Sequence, residues 1–166
     1  MFSEQMKNDL ASFNWVAAAA DVVPDAAVQN GTRPDLTLAI TRGASRLLTD
    51  MGFALVPEFT LPNGRRADLA GLSRKGRIVI VEVKSCREDF TADAKWPSYL
   101  EYCDQFYFAT DTRFPAGLLP EGEGRIVADA YGGAIIADAE VRTLAGSRRK
   151  AMTLSFARQA AFRLTV

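Results

Sequence analysis

The chain has 166 residues, of which 48% are hydrophobic and 24% are charged, and this composition is typical of one folded domain rather than of a disordered chain. It contains no histidine, which excludes Ser-His and Cys-His catalysis and histidine-ligated zinc, so acid–base chemistry would need Asp, Glu, Lys, Tyr or Cys. The formal net charge is zero. By itself this balance argues against a nucleic-acid partner, because proteins that bind nucleic acid usually carry an excess of basic residues.

The sequence also carries signals of cellular location. No apolar run approaches the roughly 20 residues of a membrane span, and the first residues lack the basic segment of a signal peptide. Cys86 and Cys103 do not have CxxC spacing, which indicates reduced thiols rather than a disulfide framework or a zinc site. We therefore expect a cytoplasmic protein with no membrane partner.

The order of predicted elements indicates the fold class. Residues 1–34 are predicted to be an appendage with a helix around Glu4–Ala20, and residues 35–166 to be one domain. Its first helix is closed by Gly52, and three strands joined by the turns PNG and SRKG follow. A short helix with Pro97 in its first turn, a fourth strand, a hairpin centred on Gly132-Gly133 and a closing helix complete the chain. The predicted ranges are 34–53 for the first helix, and 54–61, 65–72 and 77–85 for the three strands. They are 95–103 for the short helix, 105–110 for the fourth strand, 124–139 for the hairpin and 147–164 for the closing helix. This order predicts an α/β fold with a mixed central sheet flanked by helices.

The two turns set acidic residues opposite one another. A three-residue hairpin loop commonly ends in a left-handed glycine, and the loop RKG then places Asp68 opposite Glu82. In the same way the loop PNG places Glu58 opposite Asp68. Directly opposed residues share a sheet face, and Lys84 lies two residues after Glu82 on that face. The sequence therefore predicts one sheet face that carries Glu58, Asp68, Glu82 and Lys84.

Such a cluster has two possible explanations. Carboxylates close together on a buried sheet are costly and raise each other's pKa, and Mg²⁺ held by one or two carboxylates plus water removes that cost. A metal ion, a lysine and an anionic substrate suit the hydrolysis of a phosphodiester. The alternative is a structural ion pair at the end of the sheet, between Asp68 or Glu82 and Lys84 or Arg66. An E-x-K match alone is weak, since Asp93-Ala94-Lys95 fits the same loose pattern.

A family resemblance is carried by the segments GRRADLAGL (64–72), IVIVEVKS (78–85), EDFTADAKWPSYLEYCDQFYFA (88–109), RIVADAYGG (125–133) and RRKAMTLSFARQAAFRL (148–164). With these segments, the sequence from about Leu36 to the C-terminus resembles the PD-(D/E)xK nuclease superfamily, and within it the MmcB-type DNA repair proteins. The resemblance implies a restriction-endonuclease-like core and metal-dependent nuclease chemistry on DNA, with Mg²⁺ or Mn²⁺ as the cofactor. It implies that Asp68 and Glu82 are metal ligands, with the Val83 carbonyl as a further ligand, and that Lys84 is the catalytic lysine.

The first helix departs from the superfamily pattern. Many members carry a glutamate there, whereas the corresponding segment ITRGASRLL has Arg42 and Arg46 and no acid. Either Glu58 completes the metal site from the first strand, or the site binds metal weakly. The departure leaves two functions in competition, namely an endonuclease acting on damaged or branched DNA and an inactive nuclease-fold module that binds DNA or recruits another repair protein. A small-molecule-binding α/β protein is a third, weaker interpretation.

Several residues around the acids are candidate DNA contacts. Arg65, Arg66 and Lys95 have side chains suited to phosphate. The aromatic residues Trp96 and Tyr99 belong either to the core or to a base-stacking surface. The basic residues of the first helix belong either to a solvated face or to the DNA cleft. The full set of DNA-binding candidates is Arg42, Arg65, Arg66, Lys95, Trp96 and Tyr99. The sequence does not specify the oligomeric state.

Overall fold

The structure, a computed structural model, describes residues 32–93 and 95–164. The predicted helix around Glu4–Ala20, and most of the predicted appendage, lie outside the described residues. The compact unit that includes the described residues begins at Thr32.

Three α-helices and a six-stranded sheet make up the described chain. The helices are α1 (Arg33–Asp50), α2 (Arg87–Ala92) and α3 (Gly146–Arg163), with 3₁₀ helices at Trp96–Tyr102 and Ala116–Leu118. The strands are β1 (Phe53–Thr60), β2 (Arg66–Ser73), β3 (Ile78–Val83), β4 (Gln105–Thr110), β5 (Gly124–Ala128) and β6 (Gly133–Ala137). Within the described residues, no helix is long and apolar enough to cross a membrane.

The six strands lie side by side in chain order, from β1 to β6. The pairs β1–β2, β2–β3 and β5–β6 are antiparallel, whereas β3–β4 and β4–β5 are parallel. The mixed sheet with flanking helices confirms the predicted fold class and is consistent with a restriction-endonuclease-like core. Phe59 pairs with Ala67 and Leu69 with Val81, so the registers predicted from the two turns are both confirmed.

Local sequence signals explain where α1 begins and ends. The Asp35 carboxylate accepts a hydrogen bond of 2.9 Å from the backbone N–H of Thr32, which satisfies one of the free donors at the helix start. Pro34 lies in the first turn, where its fixed φ suits a helix. Gly52 has a φ of 85°, a left-handed conformation that ends the helix as predicted.

The backbone of α1 packs directly on the hairpin formed by β5 and β6. A Cβ atom at Gly43 would collide with the carbonyl oxygens of Asp129 and Gly132. Glycine at this position therefore lets helix and turn approach more closely than any other residue would permit.

The sheet has an apolar core on each face, so β3 is covered on both sides. Ile78 and Ile80 join the core that includes Phe106, Phe108 and residues of α3. The alternate residues Val79, Val81 and Val83 join the core that includes residues of α1. This explains the continuous apolar run in the sequence of β3, because both faces of the strand are buried.

Two predicted elements differ from the structure. The segment predicted as a helix over 95–103 is a 3₁₀ helix, and the six-residue helix α2 before it was not predicted; six residues are too few to show helical periodicity. The predicted hairpin is present, but Ala128 pairs with Gly133, so its centre lies before Gly132. The Asp129 carboxylate sets this turn by accepting hydrogen bonds from Tyr131 and Gly132.

Candidate functional site

Three of the four side chains predicted to share a face lie together at the carboxyl end of β3. Glu82 follows Ile80 on the same face of the strand, and Lys84 lies just beyond the strand end. Asp68 lies on β2, one residue before Leu69, which pairs with Val81. The hairpin between β2 and β3 therefore brings Asp68 next to Glu82, as its loop length predicts.

The carboxylate of Asp68 is tied to the end of β3. Its Oδ2 accepts a hydrogen bond of 2.7 Å from the backbone N–H of Val83. Burial raises the pKa of Asp68, although this hydrogen bond and the positive charges of Lys84 and Arg66 oppose the shift. A carboxylate in this environment gains from any further positive charge.

Glu82 is buried without enough partners. Only 7% of the residue is exposed, and its Oε1 lies 3.5 Å from Lys84 Nζ, which is long for a charged pair. Its Oε2 is buried and has no hydrogen-bond partner in the part of the chain that the structure describes. Burial and the neighbouring Asp68 raise the pKa of Glu82 to about 8.

Lys84 makes its short contact with a residue that the sequence-based site did not include. Its Nζ lies 2.6 Å from Asp93 Oδ2, and only 7% of its side chain is exposed. Burial opposes the positive charge, but the hydrogen bond to Asp93 and the charge of Glu82 outweigh burial and raise the pKa of Lys84. In the sequence, Asp93 belongs to a loose D-x-K match and to the segment 88–109 that carries the family resemblance, but neither indicated contact with Lys84.

Glu58 lies apart from the buried acids, which corrects the prediction of a four-residue cluster. Its φ is 45°, so the strand is irregular where Glu58 would face Asp68. Its side chain is 67% exposed and lies 3.7 Å from Arg66. The carboxylate of Glu58 is therefore exposed, in the wall of the cleft that Asp68 also lines.

The basic candidates take different positions around the acids. Arg66 and Lys95 are exposed, and Arg65 is half-buried. The backbone N–H of Lys95 donates to Asp93 Oδ1, which places Lys95 next to the site. Arg66 lowers the pKa of Asp68 through its charge, so it too lies near the acids.

The aromatic candidates belong to the core. Tyr99 is 4% exposed and its hydroxyl donates to the carbonyl of Arg66, which leaves no ring face for a base and corrects its assignment as a stacking residue. Trp96 is half-buried and stacks on Phe106, with 5.8 Å between ring centroids. This packing against the core is enough to explain a tryptophan at this position, and no contact with nucleic acid is needed to explain it.

Arg42 and Arg46 of α1 are both exposed. Arg46 donates to the carbonyl of Tyr131 in the turn between β5 and β6, so it is held against that turn. The side chain of Arg42 forms no hydrogen bond or ion pair with any other described residue, and the structure brings neither Arg42 nor Arg46 into contact with the buried acids.

A cleft of about 510 Å³ opens beside Asp68. One wall is α1, from Arg33 to Thr41, and the other is formed by the ends of β1 and β2. Arg33 crosses the cleft to Asp89, with 3.2 Å between the charged atoms. Asp68 therefore connects the buried pair of Glu82 and Lys84 with open space.

Two carboxylates are the candidate ligands for a magnesium-type site with few protein ligands. Across residues 32–93 and 95–164, no group of three or more acidic, cysteine or histidine side chains is arranged to hold a metal ion. Asp68 and Glu82 remain as two adjacent carboxylates, one of which has an unpaired buried oxygen. Mg²⁺ is commonly held by one or two carboxylates and water, so these two residues fit such an ion.

Comparisons with known proteins identify relatives. Residues 24–166 match a family model described as DNA repair protein MmcB-like. A solved structure, described as SPO1766 protein of unknown function from Silicibacter pomeroyi, shares 46% sequence identity with a TM-score of 0.74. The match covers 77% of this chain and 88% of that chain. No curated protein matches the chain.

Proposed function

Because the chain belongs to the MmcB-like DNA repair protein family, which indicates a role in DNA repair, we propose that it is a divalent-metal-dependent nuclease that hydrolyses DNA phosphodiester bonds. The observation that carries this proposal is the buried Oε2 of Glu82, which lacks a partner in the described structure. An unpaired buried acceptor is costly, and a cation that binds there removes the cost.

The contact distances favour this function over a structural ion pair. In a structural pair, Lys84 would satisfy the glutamate that shares its strand end. Instead Lys84 Nζ lies 2.6 Å from Asp93 and 3.5 Å from Glu82, so Glu82 keeps an unpaired oxygen. The carboxylates of Asp68 and Glu82 are thus free to hold Mg²⁺ or Mn²⁺.

The carbonyl of Val83 is our proposed third oxygen. The N–H and C=O of one strand residue point to the same side of the strand, and the N–H of Val83 points to Asp68. The carbonyl of Val83 therefore faces the side on which Asp68 lies. Two carboxylates, this carbonyl and water would form an all-oxygen site of the kind that Mg²⁺ prefers.

In this proposal each residue has a distinct chemical role. A bound divalent ion would polarise the phosphate and lower the pKa of a water. Asp68 and Glu82 hold the ion, and the Lys84 ammonium stabilises negative charge that develops on the phosphate. The raised pKa of Lys84 keeps it protonated, so it acts as a cation rather than as a general base.

We assign the approach of DNA to the basic residues near the site. The charge of Arg66 acts on Asp68, the N–H of Lys95 donates to Asp93, and the charge of Arg65 acts on Tyr99, which the charges of the same acids also reach. A phosphate backbone would meet these side chains before it reached the buried ammonium. Local charge of this kind matters more than the net charge of zero, because salt screens charges beyond about 10 Å.

A cleavage assay tests the proposal. Labelled single-stranded, duplex, nicked, flapped and branched DNA are incubated with the protein in Mg²⁺, Mn²⁺ or chelator. Glu82→Gln removes a proposed ligand, and Lys150→Ala, which removes an exposed charge on α3, is the control for a charge lost outside the site. We expect metal-dependent cleavage by wild type and Lys150→Ala and none by Glu82→Gln. Equal cleavage by wild type and Glu82→Gln would place the activity elsewhere or in a contaminant.

A second candidate function is a nuclease-fold module that binds DNA, or recruits a repair partner, without cleaving. The ion pair between Lys84 and Asp93 favours this function, since it engages the ammonium that a phosphate would need. Salt-dependent DNA binding with no cleavage of any DNA form in either metal is the result that would select it.

A further inference from the structure

Asp93 determines where the Lys84 ammonium lies. Of the two acids in reach of Nζ, Asp93 is at 2.6 Å and Glu82 at 3.5 Å. Both acids are largely buried, with 14% and 9% of their side chains exposed. Two acids therefore compete for one ammonium where solvent screens little, and Asp93 makes the closer contact.

The carboxylate of Asp93 is fixed on its other side. Its Oδ1 accepts a hydrogen bond of 2.9 Å from the backbone N–H of Lys95. Since one oxygen is bound to the local turn and the other to Lys84, Asp93 cannot follow the ammonium towards Glu82 without losing that hydrogen bond.

Aromatic contacts hold the chain on either side of Asp93. Phe90 packs edge-on against Phe108 at 5.5 Å, and Trp96 packs against the same ring at 5.5 Å. Phe108 is the strand partner of Glu82 on β4. The segment that carries Asp93 is thus attached at both ends to the same part of the sheet as the candidate site, which makes Asp93 a fixed anchor.

We propose that Asp93 is a positioning residue that holds the Lys84 ammonium away from Glu82, and so keeps the unpaired Oε2 of Glu82 open to a divalent cation. Without Asp93, the nearest anion for Lys84 is Glu82, and an internal ion pair would replace the cation. The inference rests on the proposed metal site but assigns a role to a residue outside the metal ligands.

Mn²⁺ affinity, measured from the electron paramagnetic resonance signal of free Mn²⁺, tests the inference in two backgrounds. Asp93→Asn keeps an acceptor for the Lys95 N–H and removes the charge. We expect it to weaken Mn²⁺ binding about 10- to 100-fold, the usual range for a residue that orients a metal ligand. In the Lys84→Met background the same substitution should change affinity by less than about twofold, because no ammonium remains to move.

The matched control is Asp111→Asn. Asp111 is also a largely buried acid, with 12% of its side chain exposed and an ion pair of 2.6 Å to Arg113. We expect no change in Mn²⁺ affinity in this variant. Asp93→Ser is a second way to remove the charge, and melting curves in chelator establish that each variant is folded.

The Mn²⁺ affinities in the two backgrounds distinguish between the possible roles of Asp93. Equal losses of affinity in the wild-type and Lys84→Met backgrounds would mean that Asp93 acts through its own charge or as a ligand, and would overturn the inference. Absence of Mn²⁺ binding by wild type would overturn both the inference and the metal site. Background-dependent losses together with no DNA cleavage would support the inference and overturn only the nuclease function.

Discussion

The two ends of β3 both carry buried charge, but only one end is fully paired. At the amino end, the Asp104 carboxylate accepts a hydrogen bond from the Ile78 N–H at 2.7 Å. It also accepts two from the Arg149 guanidinium, at 2.8 and 2.6 Å. Burial would raise the pKa of Asp104, but these hydrogen bonds outweigh burial and lower it. Both oxygens of this acid are satisfied within the protein.

At the carboxyl end, Glu82 has one long contact and one oxygen without a partner among the described residues. Its pKa is raised to about 8, the opposite direction to Asp104. The difference teaches that a buried acid is not in itself a sign of function. An acid whose pairing the chain leaves incomplete is the stronger candidate for a ligand site.

The largest expected difference between the two ends of β3 is in their contribution to the free energy of unfolding. Asp104→Ala leaves the Ile78 N–H and the Arg149 charge without their partner, and we expect it to lower the free energy of unfolding by about 3–5 kcal/mol. Glu82→Gln in chelator should be neutral or stabilising, because the neutral amide replaces a carboxyl group whose charged form burial disfavours. Denaturant unfolding measures both, with the exposed Asp138→Ala as control. Similar losses for Asp104→Ala and Glu82→Gln would mean that the two ends are equivalent.

A second effect concerns activity at the carboxyl end. We expect Lys84→Ala to lower the cleavage rate about 10²–10³-fold, as loss of one electrostatic contact to a transition state typically does, while it still binds DNA and Mn²⁺. Lys84→Arg should not restore the rate, since a planar guanidinium does not replace a compact ammonium. Single-turnover cleavage gives the rates. If Lys84→Ala cleaved at the wild-type rate, the ammonium would have no role in the chemistry.

A third effect is the pH dependence of stability without metal. The pKa of Glu82 is about 8 in the folded protein against an ordinary value of 4.5, so the folded state holds an extra proton between these values. The stabilising contribution is complete below the ordinary pKa and is lost as pH rises to about 8, by up to about 1.4 kcal/mol per pH unit. Unfolding at pH 5 to 8 in chelator should show this decline.

The variant Glu82→Gln should lose that part of the decline, whereas Glu121→Gln, at an exposed position, should keep it. Asp68, whose pKa burial also raises, adds to the decline with the same sign. A wild-type stability that rises over this pH range would contradict the incomplete pairing of the carboxyl end.

The smallest effect is on DNA affinity. Arg65→Ala combined with Arg66→Ala should weaken binding and reduce the salt-dependence slope by about two units, roughly one for each lost phosphate contact. The pair Arg74→Ala and Lys75→Ala, in the turn at the other end of the β2–β3 hairpin, is the matched control. Fluorescence anisotropy over a salt series measures both slopes. Equal slopes for the two double variants would place the DNA elsewhere.

The part of the site that depends on local pairing could be predicted from sequence. The three-residue loop between β2 and β3 fixes the register in which Leu69 pairs with Val81, and that register brings Asp68 beside Glu82. Loop length and strand alternation suffice for this step.

The rest of the candidate site depends on backbone conformation and tertiary contacts that no local sequence pattern indicates. Glu58 was predicted to join the acids, but its positive φ turns it outwards, and a glutamate gives no warning of that conformation. Asp93 reaches Lys84 from a segment held by tertiary aromatic contacts, which no local pattern encodes. The burial of Tyr99 likewise follows from tertiary packing rather than from its helical spacing.

The agreement between strand order and chain order has a consequence for how the site assembles. Every strand pairs with the next one along the chain, and Asp68 and Glu82 belong to a single hairpin that can close within microseconds. The pair of acids can thus form before the parallel strands, whose pairing needs longer crossovers and is slower. The contact between Asp93 and Lys84 becomes fixed only when β4 is in place, because Phe90 and Trp96 hold the Asp93 segment against Phe108 of β4. Pulsed hydrogen exchange during refolding should protect the Val83 amide before that of Ser98, and the reverse order would exclude this sequence of events.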